Sequence, residues 1–327
     1  VSSTILVAGG AGYIGSVTAQ LLIDAGHRVL VVDDLSRGHR AAVPQGAELT
    51  CARVGDVQAI SELLRSNRVD SVFHFCAHSL VGESMRDPAL YYENNLIQGK
   101  LLLDAMIAAD VKHMIFSSTC AIFGLPQSVP ILEDDPMRPA NPYGETKYAF
   151  ERMLHWYHEV YGLNYTALRY FNACGATATH GEHHDPETHL IPLVLFTAMG
   201  KREQIEIYGT DYETRDGTCV RDYIHVLDLA AAHLTAFEQC RDRVAYYNLG
   251  NGAGFTVREV IDAARRVTGR PIQVHEGPRR AGDPPVLVGG TEKINRELGW
   301  SPEHTELDQI IESAWRWHSA HPDGYPG

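Results

Sequence analysis

The chain has 327 residues, 44% of them hydrophobic and 21% charged, the make-up of an ordinary globular protein with room for two core-forming units or one large α/β domain. Its formal net charge of −13 and pI near 5.7 argue against a nucleic-acid surface or binding to anionic membranes, but not against a small anionic ligand held by a few arginines. No apolar run approaches the roughly 18–20 residues of a membrane span, the N-terminal stretch lacks the basic region of a signal peptide, and the cysteines (Cys51, Cys76, Cys120, Cys174, Cys219, Cys240) form no Cys-x-x-Cys pair, so a cytoplasmic enzyme with reduced thiols is expected.

In chain order, Ile5–Ala8 is a short apolar run expected to be a buried strand. Gly9-Gly10-Ala11-Gly12-Tyr13-Ile14-Gly15 follows, then apolar periodicity through Val17, Leu21 and Leu22 marks a helix ended by Gly26. Gly9-x-x-Gly12-x-x-Gly15 between strand and helix is a dinucleotide-binding pattern. The glycines permit the tight turn, close approach to pyrophosphate and helix packing, and the helix N-terminus faces the phosphates. A second strand, Arg28–Val32, ends at Asp33-Asp34. The Asp33 carboxylate is placed to accept from a ribose 2′-hydroxyl and to repel a 2′-phosphate. NAD rather than NADP is therefore expected, although Arg37 and Arg40 lie close by.

Glu48–Val54 reads as a third strand. Asp56 beyond it suits a contact to the adenine amino group, the N-cap of a helix over Ala59–Arg65, or both. Ser71–Phe75 is a fourth strand, and Phe75-Cys76-Ala77 would set small residues against the cofactor. A helical pattern spans Ala89–Ala109. The fifth strand, Met114–Ser117, closes on Ser117-Ser118-Thr119, at the edge where doubly wound folds bind ligands. A hydroxyl there would relay a hydrogen bond between a substrate alcohol and a base. Cys120 reads as a small packed residue rather than a reactive thiol.

Asn141-Pro142-Tyr143-Gly144-Glu145-Thr146-Lys147 opens a helix over Tyr143–Val160, with Pro142 suited to its first position. Tyr143 and Lys147, four apart, share one helix face. A free tyrosine, with a pKa of about 10, is a poor base at neutral pH. A neighbouring ammonium favours phenolate, so the pair reads as a general base for hydride transfer at an alcohol carbon beside nicotinamide. Lys147 would also reach the nicotinamide ribose.

Tyr165–Tyr170 and Ala245–Leu249 complete the strand-like runs. Their alternation with helices predicts an α/β fold with a doubly wound parallel Rossmann sheet. After Asn172 the texture changes. Residues 173–189 and 209–218 read as loops, and the tail holds a helix at Val257–Thr268, an Arg-rich loop at Pro278–Pro285 and a final helix at Leu307–Ser319. Arg221 and Arg279-Arg280, with Asp283, are candidate clamps for phosphate and ribose. His180, His183, His184 and His189 lack a helical His-x-x-x-His frame with a third ligand. No metal is expected, and a solvated loop is expected for the first three. The expected division is a dinucleotide-binding domain, residues 1–172 plus about 224–250, and a smaller α/β substrate domain, about 173–223 and 251–327.

With these residues assembled, the sequence resembles the UDP-galactose 4-epimerases, extended members of the short-chain dehydrogenase/reductase superfamily, nearly end to end. The resemblance is carried by Gly-Gly-Ala-Gly-Tyr-Ile-Gly-Ser (9–16), Val-Gly-Glu-Ser (81–84), Tyr-Tyr-Glu-Asn-Asn (91–95), Pro-Tyr-Gly-x-x-Lys (142–147), Arg-Tyr-Phe-Asn (169–172), the run 216–226 and Tyr-Asn-Leu-Gly (247–250). It implies that NAD is lined by Tyr13, Ile14, Asp33, Asp34, Leu35, Ser36, Arg37, Gly38, Asp56, Val57, Phe75, Ala77, Asn94 and Phe171, beside Ser117, Tyr143 and Lys147. It implies that Thr119, Asn172, His189, Leu190, Tyr208, Arg221, Arg280, Asp283 and Leu287 line a UDP-sugar. The implied reaction removes hydride from C4 of a UDP-hexose, turns the 4-keto sugar over and returns hydride to its other face. A homodimer through the helices at 89–109 and 143–160 is implied too.

Several positions depart from the best-known bacterial pattern. Thr119 stands where serine is often found and keeps the hydroxyl. His78-Ser79 replaces a lysine near the cofactor, and His189 an amide at the substrate. Leu287 replaces a bulky tyrosine that excludes N-acetyl groups, so UDP-GlcNAc and UDP-GalNAc are expected as further substrates. A 4-epimerase of a UDP-pentose or UDP-uronate is the main alternative. A 4,6-dehydratase is disfavoured by Cys120 and Ala121 where an acid is needed, and a non-catalytic NAD-binding sensor by the presence of Tyr143 and Lys147.

Overall fold

In a computed structural model describing residues 2–280 and 282–326, seven strands form one parallel sheet. They are β1 (Thr4–Ala8), β2 (Arg28–Asp33), β3 (Glu48–Cys51), β4 (Ser71–His74), β5 (His113–Thr119), β6 (Asn164–Tyr170) and, far later in sequence, Ala245–Leu249. The spatial order is Ala245–Leu249, β6, β5, β4, β1, β2, β3. The chain winds outward one way from β1 and the other way from β4, so these two neighbours mark the point where the winding reverses. A crevice opens there beyond the carboxyl ends of the strands.

Parallel strands covered on both faces must be apolar on both. Ile5, Val7, Val31, Phe73 and Ile115 point to the helices Tyr13–Asp24 and Val226–Gln239, and Leu6, Ala8, Leu30, Val72, Met114 and Phe116 to Val57–Ser66, Gly99–Ala108 and Pro142–Tyr161. Phe73 and Phe116 are fully enclosed, each stabilising the fold by about 1.5–3 kcal/mol.

The helix expected over Ala89–Ala109 is broken into Pro88–Tyr91, a wider i→i+5 winding at Tyr92–Gln98, and Gly99–Ala108. The wide turn seats a buried Asn95. Its Oδ1 accepts from the His78 backbone N–H at 2.8 Å, and its Nδ2 donates to the His78 carbonyl at 3.0 Å and to Thr146 Oγ1 at 3.2 Å. Asn95 thereby fastens the segment after β4 to the helix carrying Tyr143. The third strand ends at Cys51, three residues earlier than expected.

A second core lies beside the sheet, built by the helices Leu190–Ala198, Val257–Thr268 and Leu307–Ala320 with a parallel pair, Ile205–Tyr208 and Val274–Gly277. Val257–Thr268 begins with a reciprocal cap. Glu259 N–H donates to Thr256 Oγ1 at 3.0 Å, and Thr256 N–H donates to Glu259 Oε2 at 2.8 Å. Fully buried Asp222 accepts from the backbone N–H groups of Asn251, Gly252 and Gly289 at 2.6, 3.2 and 3.1 Å, drawing three loops together. Among the described residues no helix is long and apolar enough to cross a membrane.

Candidate active site

The crevice beside β1 is built from its glycines. A side chain at Gly9, whose φ is +84°, would place Cβ 2.5 Å from the Cys76 backbone nitrogen. One at Gly15 would place it 2.2 Å from the Gly9 carbonyl. These two glycines are required by the turn itself. Gly12 differs: its Cβ would meet only the Gly9 carbonyl, at 3.4 Å, so its outer side is open to a ligand. Gly12 is also the N-cap of Tyr13–Asp24 and supplies no capping side chain. The first N–H groups of that helix are left for an anion. These features fit the diphosphate of a dinucleotide.

Asp33 sits at the end of β2, nearly buried. Its Oδ2 accepts from Ala11 N–H at 3.0 Å and its Oδ1 from Leu35 N–H at 2.9 Å. Burial pushes this carboxyl upward, and the two amides oppose that rise. Each oxygen keeps acceptor capacity for a ribose hydroxyl. Asp34 Oδ1 accepts from Ser36 N–H, and Gly38 packs so tightly that a Cβ would lie 2.9 Å from Asp33 Oδ1. Arg37 is paired with Glu83 at 2.7 Å and donates to the Asp185 carbonyl, so it is spoken for as a 2′-phosphate partner. Asp56 caps Val57–Ser66, accepting from Ala59 N–H at 3.1 Å. Phe75 follows β4 directly, its N–H donating to the Ala8 carbonyl, and Ala77 N–H turns back onto the Phe75 carbonyl. Asn94 donates to Asn95 within the wide turn. Tyr13 OH donates to the Gly175 carbonyl at 2.5 Å, tying the Gly-rich turn to the loop after Cys174.

At the carboxyl end of β5 the hydroxyl residues divide their work. Ser117 is hydrogen-bonded to Tyr170, and Ser118 donates to Glu151 at 2.5 Å. Glu151 also receives the Arg169 guanidinium, at 2.7 and 3.1 Å. This enclosed group anchors the floor of the site. Thr119 faces Tyr143. Burial pushes the Tyr143 phenol up to about 12, and a hydrogen bond with Thr119 pulls the other way.

Lys147 lies under the same surface, 3% exposed, its Nζ donating to the Ser117 carbonyl at 2.7 Å. Burial brings its ammonium down to about 8, against the pull of Cys76 and Glu151. The sequence-based expectation had the ammonium acting on the phenol. In the folded protein the Lys147 ammonium also donates to β5, and Thr119 is a second neighbour that lowers the phenol. The Cys120 thiol is pushed up to about 12 by burial, and all six cysteines are unpaired, consistent with a packed, unreactive Cys120.

Across the crevice Arg221 donates to the Pro284 carbonyl at 2.9 Å and lies 3.6 Å from Asp283. Arg280 stacks on the exposed Tyr208 ring at 4.4 Å. Arg279 turns away to Asp211. Asn172 donates to the Asp222 carbonyl at 2.8 Å. Leu287 and Phe171 join the apolar cluster with Cys120 and Phe123, immediately beyond Thr119. His189 and Leu190 open Leu190–Ala198, with the His189 ring held by acidic residues. The expected solvated loop is not what folds here: His180 is buried, and His183 stacks on His39 at 4.3 Å. Asn95, Asp222 and Glu151 escaped the sequence reading because each acts through partners distant in sequence, and Glu182 because its neighbours His184 and His189 reach it along an irregular loop.

A Gly-rich turn at the winding reversal, beside a buried Thr–Tyr–Lys group, defines a nucleotide-cofactor enzyme that works on an alcohol carbon. A profile of the NAD dependent epimerase/dehydratase family matches residues 5–250. The chain is 50% identical to the UDP-glucose 4-epimerase of Halalkalibacterium halodurans, covering 98% of this chain and 97% of that one. It superimposes on the UDP-glucose 4-epimerase from Brucella ovis in complex with NAD with a TM-score of 0.94, at 45% identity over 96% of this chain and 98% of that one. The Bifidobacterium longum UDP-glucose 4-epimerase in complex with NAD+ and UDP also gives 0.94, at 35% identity, covering 99% and 100%. The chain belongs to the NAD-dependent epimerase/dehydratase family and, within it, to the UDP-glucose 4-epimerases, extended short-chain dehydrogenases/reductases.

Proposed function

We propose that this protein is an NAD-dependent UDP-hexose 4-epimerase interconverting UDP-glucose and UDP-galactose. The observation that carries the reading is Tyr143 beside Thr119, whose hydroxyl lowers the phenol, over a buried Lys147, with Arg221, Arg280 and Asp283 gathered on the second unit. Bound NAD supplies the hydride acceptor and the positive charge that favours phenolate. Thr119 and Tyr143 hold the sugar 4-hydroxyl, and Tyr143 takes its proton as C4 gives up hydride. Arg221 and Arg280 hold the diphosphate and Asp283 the ribose while the 4-keto sugar turns over. Tyr143 then returns the proton as hydride re-enters at the opposite face. Proton and hydride are both restored, so the cycle is redox-neutral.

Lys147 orients the nicotinamide ribose, and Gly9, Gly12 and Gly15 admit the diphosphate. Asp33 receives the adenosine ribose. The division into a dinucleotide domain (1–172 with about 224–250) and a substrate domain is part of this reading. So is a homodimer through the helices at 89–109 and 143–160, which carry exposed Tyr92, Ile97, Trp156 and Val160. Conversion of UDP-galactose to UDP-glucose in a coupled assay tests the mechanism. Tyr143→Phe is expected to lose about 10²–10⁴-fold in kcat, and full activity in that variant would refute it.

A further inference from the structure

Outside the proton-transfer group, four side chains of one loop converge. Glu182, His184, Glu187 and His189 each place one ligand-type atom within 4.8 Å of the others. His189 Nδ1 lies 2.8 Å from Glu182 Oε1 and 2.8 Å from Glu187 Oε1, and His184 Nδ1 lies 3.2 Å from Glu182 Oε1 and 3.5 Å from Glu187 Oε2. Four ligands about 2.0 Å from a zinc ion in a tetrahedron stand about 3.3 Å apart; the four pairs above, at 2.8 to 3.5 Å, bracket that spacing.

A second observation points into the same space. The Glu187 side chain is 6% exposed, and its Oε2 has no hydrogen-bond partner, while its Oε1 receives the N–H groups of Thr188 and His189. His184 Nδ1, facing it at 3.5 Å, is likewise buried and makes no well-aligned hydrogen bond. A buried carboxylate oxygen with no donor is costly. Two carboxylates brought together this closely call for positive charge between them, which either protonated His184 and His189 or a bound cation coordinated by those rings would supply.

We propose that Glu182, His184, Glu187 and His189 form a structural binding site for one divalent transition-metal ion, with zinc the best match. Two imidazoles and two carboxylates suit zinc better than calcium or magnesium, which prefer all-oxygen shells. The four ligands leave no open position, so the ion braces rather than catalyses. It holds the loop between Cys174 and Leu190, which Tyr13 touches from the Gly-rich turn through Gly175 and edge-on to His184 at 6.4 Å. It also fixes His189, at the start of Leu190–Ala198. Coordination through Nδ1 displaces a proton from any protonated ring.

The test uses the full chain without a histidine tag, stripped with chelator and reloaded, and it reads metal rather than turnover, so it stands apart from the epimerase assay. One zinc per chain is expected by elemental analysis. Reloading is expected to raise the unfolding midpoint by about 4 °C when zinc exceeds its Kd by about 100-fold. Cobalt is expected to give the intense visible bands of a tetrahedral site, abolished by zinc. The shape-preserving double variant Glu182→Gln/Glu187→Gln is expected to bind zinc more than about 100-fold more weakly, beyond the cost of losing an outer-shell partner. If the wild-type chain takes up no zinc at micromolar concentration and gives no cobalt spectrum, the cluster is ion-paired by protons alone and the proposal fails. Equal zinc uptake by the double variant would place the metal elsewhere and overturn it too.

Discussion

Removing the Thr119 hydroxyl isolates the part of the site that the sequence assigned least directly. Burial holds the Tyr143 phenol up at about 12, and Thr119 is the neighbour that lowers it, whereas Cys120 raises it. Thr119→Val keeps the branched shape and deletes that hydrogen bond. The phenol then moves further up, so less phenolate is present at neutral pH, and the rising limb of the kcat–pH profile shifts to higher pH. One donor aimed at a reacting oxygen in a dry site is worth about 2.7–4 kcal/mol, or about 10²–10³ in kcat. The hydroxyl also accepts from Ala121 N–H at 3.1 Å, so the variant is expected to lose about 1 kcal/mol of stability as well. Thr119→Ser retains both contacts and is the control. The assay is UDP-galactose turnover coupled to a UDP-glucose-specific dehydrogenase, followed from pH 6 to 10. A kcat for Thr119→Val within about threefold of wild type, with an unmoved profile, would refute the assignment of Thr119 to the proton-transfer pair.

Three further outcomes follow from the same geometry. Leu287→Tyr fills the space beyond Thr119 and is expected to cut UDP-GlcNAc turnover by about 10–200-fold while sparing UDP-glucose; coupled assays on both substrate pairs check it, and the absence of N-acetyl turnover in the wild-type chain would sink the reading. Arg280→Ala removes a charged partner of the diphosphate and is expected to raise KM for the UDP-sugar about 10- to 100-fold, with kcat falling less. Trp156→Asp places a charge on the exposed helix face at Trp156 and Val160 and is expected to convert dimers to monomers in light scattering.

Much of this protein is legible locally. Ile5–Ala8, Gly9-x-x-Gly12-x-x-Gly15 and the following helix could be read because a buried strand, a tight turn and an amphipathic helix each leave a short-range pattern. The strand Ala245–Leu249 and the helix Val257–Thr268 agree to the residue, since a short Tyr-rich run closed by Gly250 marks the first and a Thr-x-x-Glu cap with a terminal glycine bounds the second. The face shared by Tyr143 and Lys147 needs only the helix period. The broken winding at Tyr92–Gln98 was invisible because its cause, the grip of Asn95 on His78 and Thr146, spans long sequence separations.

What only the tertiary structure decided is how these groups act on one another. Spacing alone could pair Tyr143 with Lys147, but it could not show that the ammonium donates to the Ser117 carbonyl of β5 or that Thr119 lowers the phenol. Spacing alone also dismissed the histidine loop, because His180, His183, His184 and His189 lack a helical frame, and it gave no sign that Glu182, His184, Glu187 and His189 meet. Their convergence depends on a non-repeating backbone path and on what packs around it, including Tyr13 from the Gly-rich turn. Periodic structure is written residue by residue. Distances across irregular backbone are set by everything packed around it, and so appear only once the chain has folded.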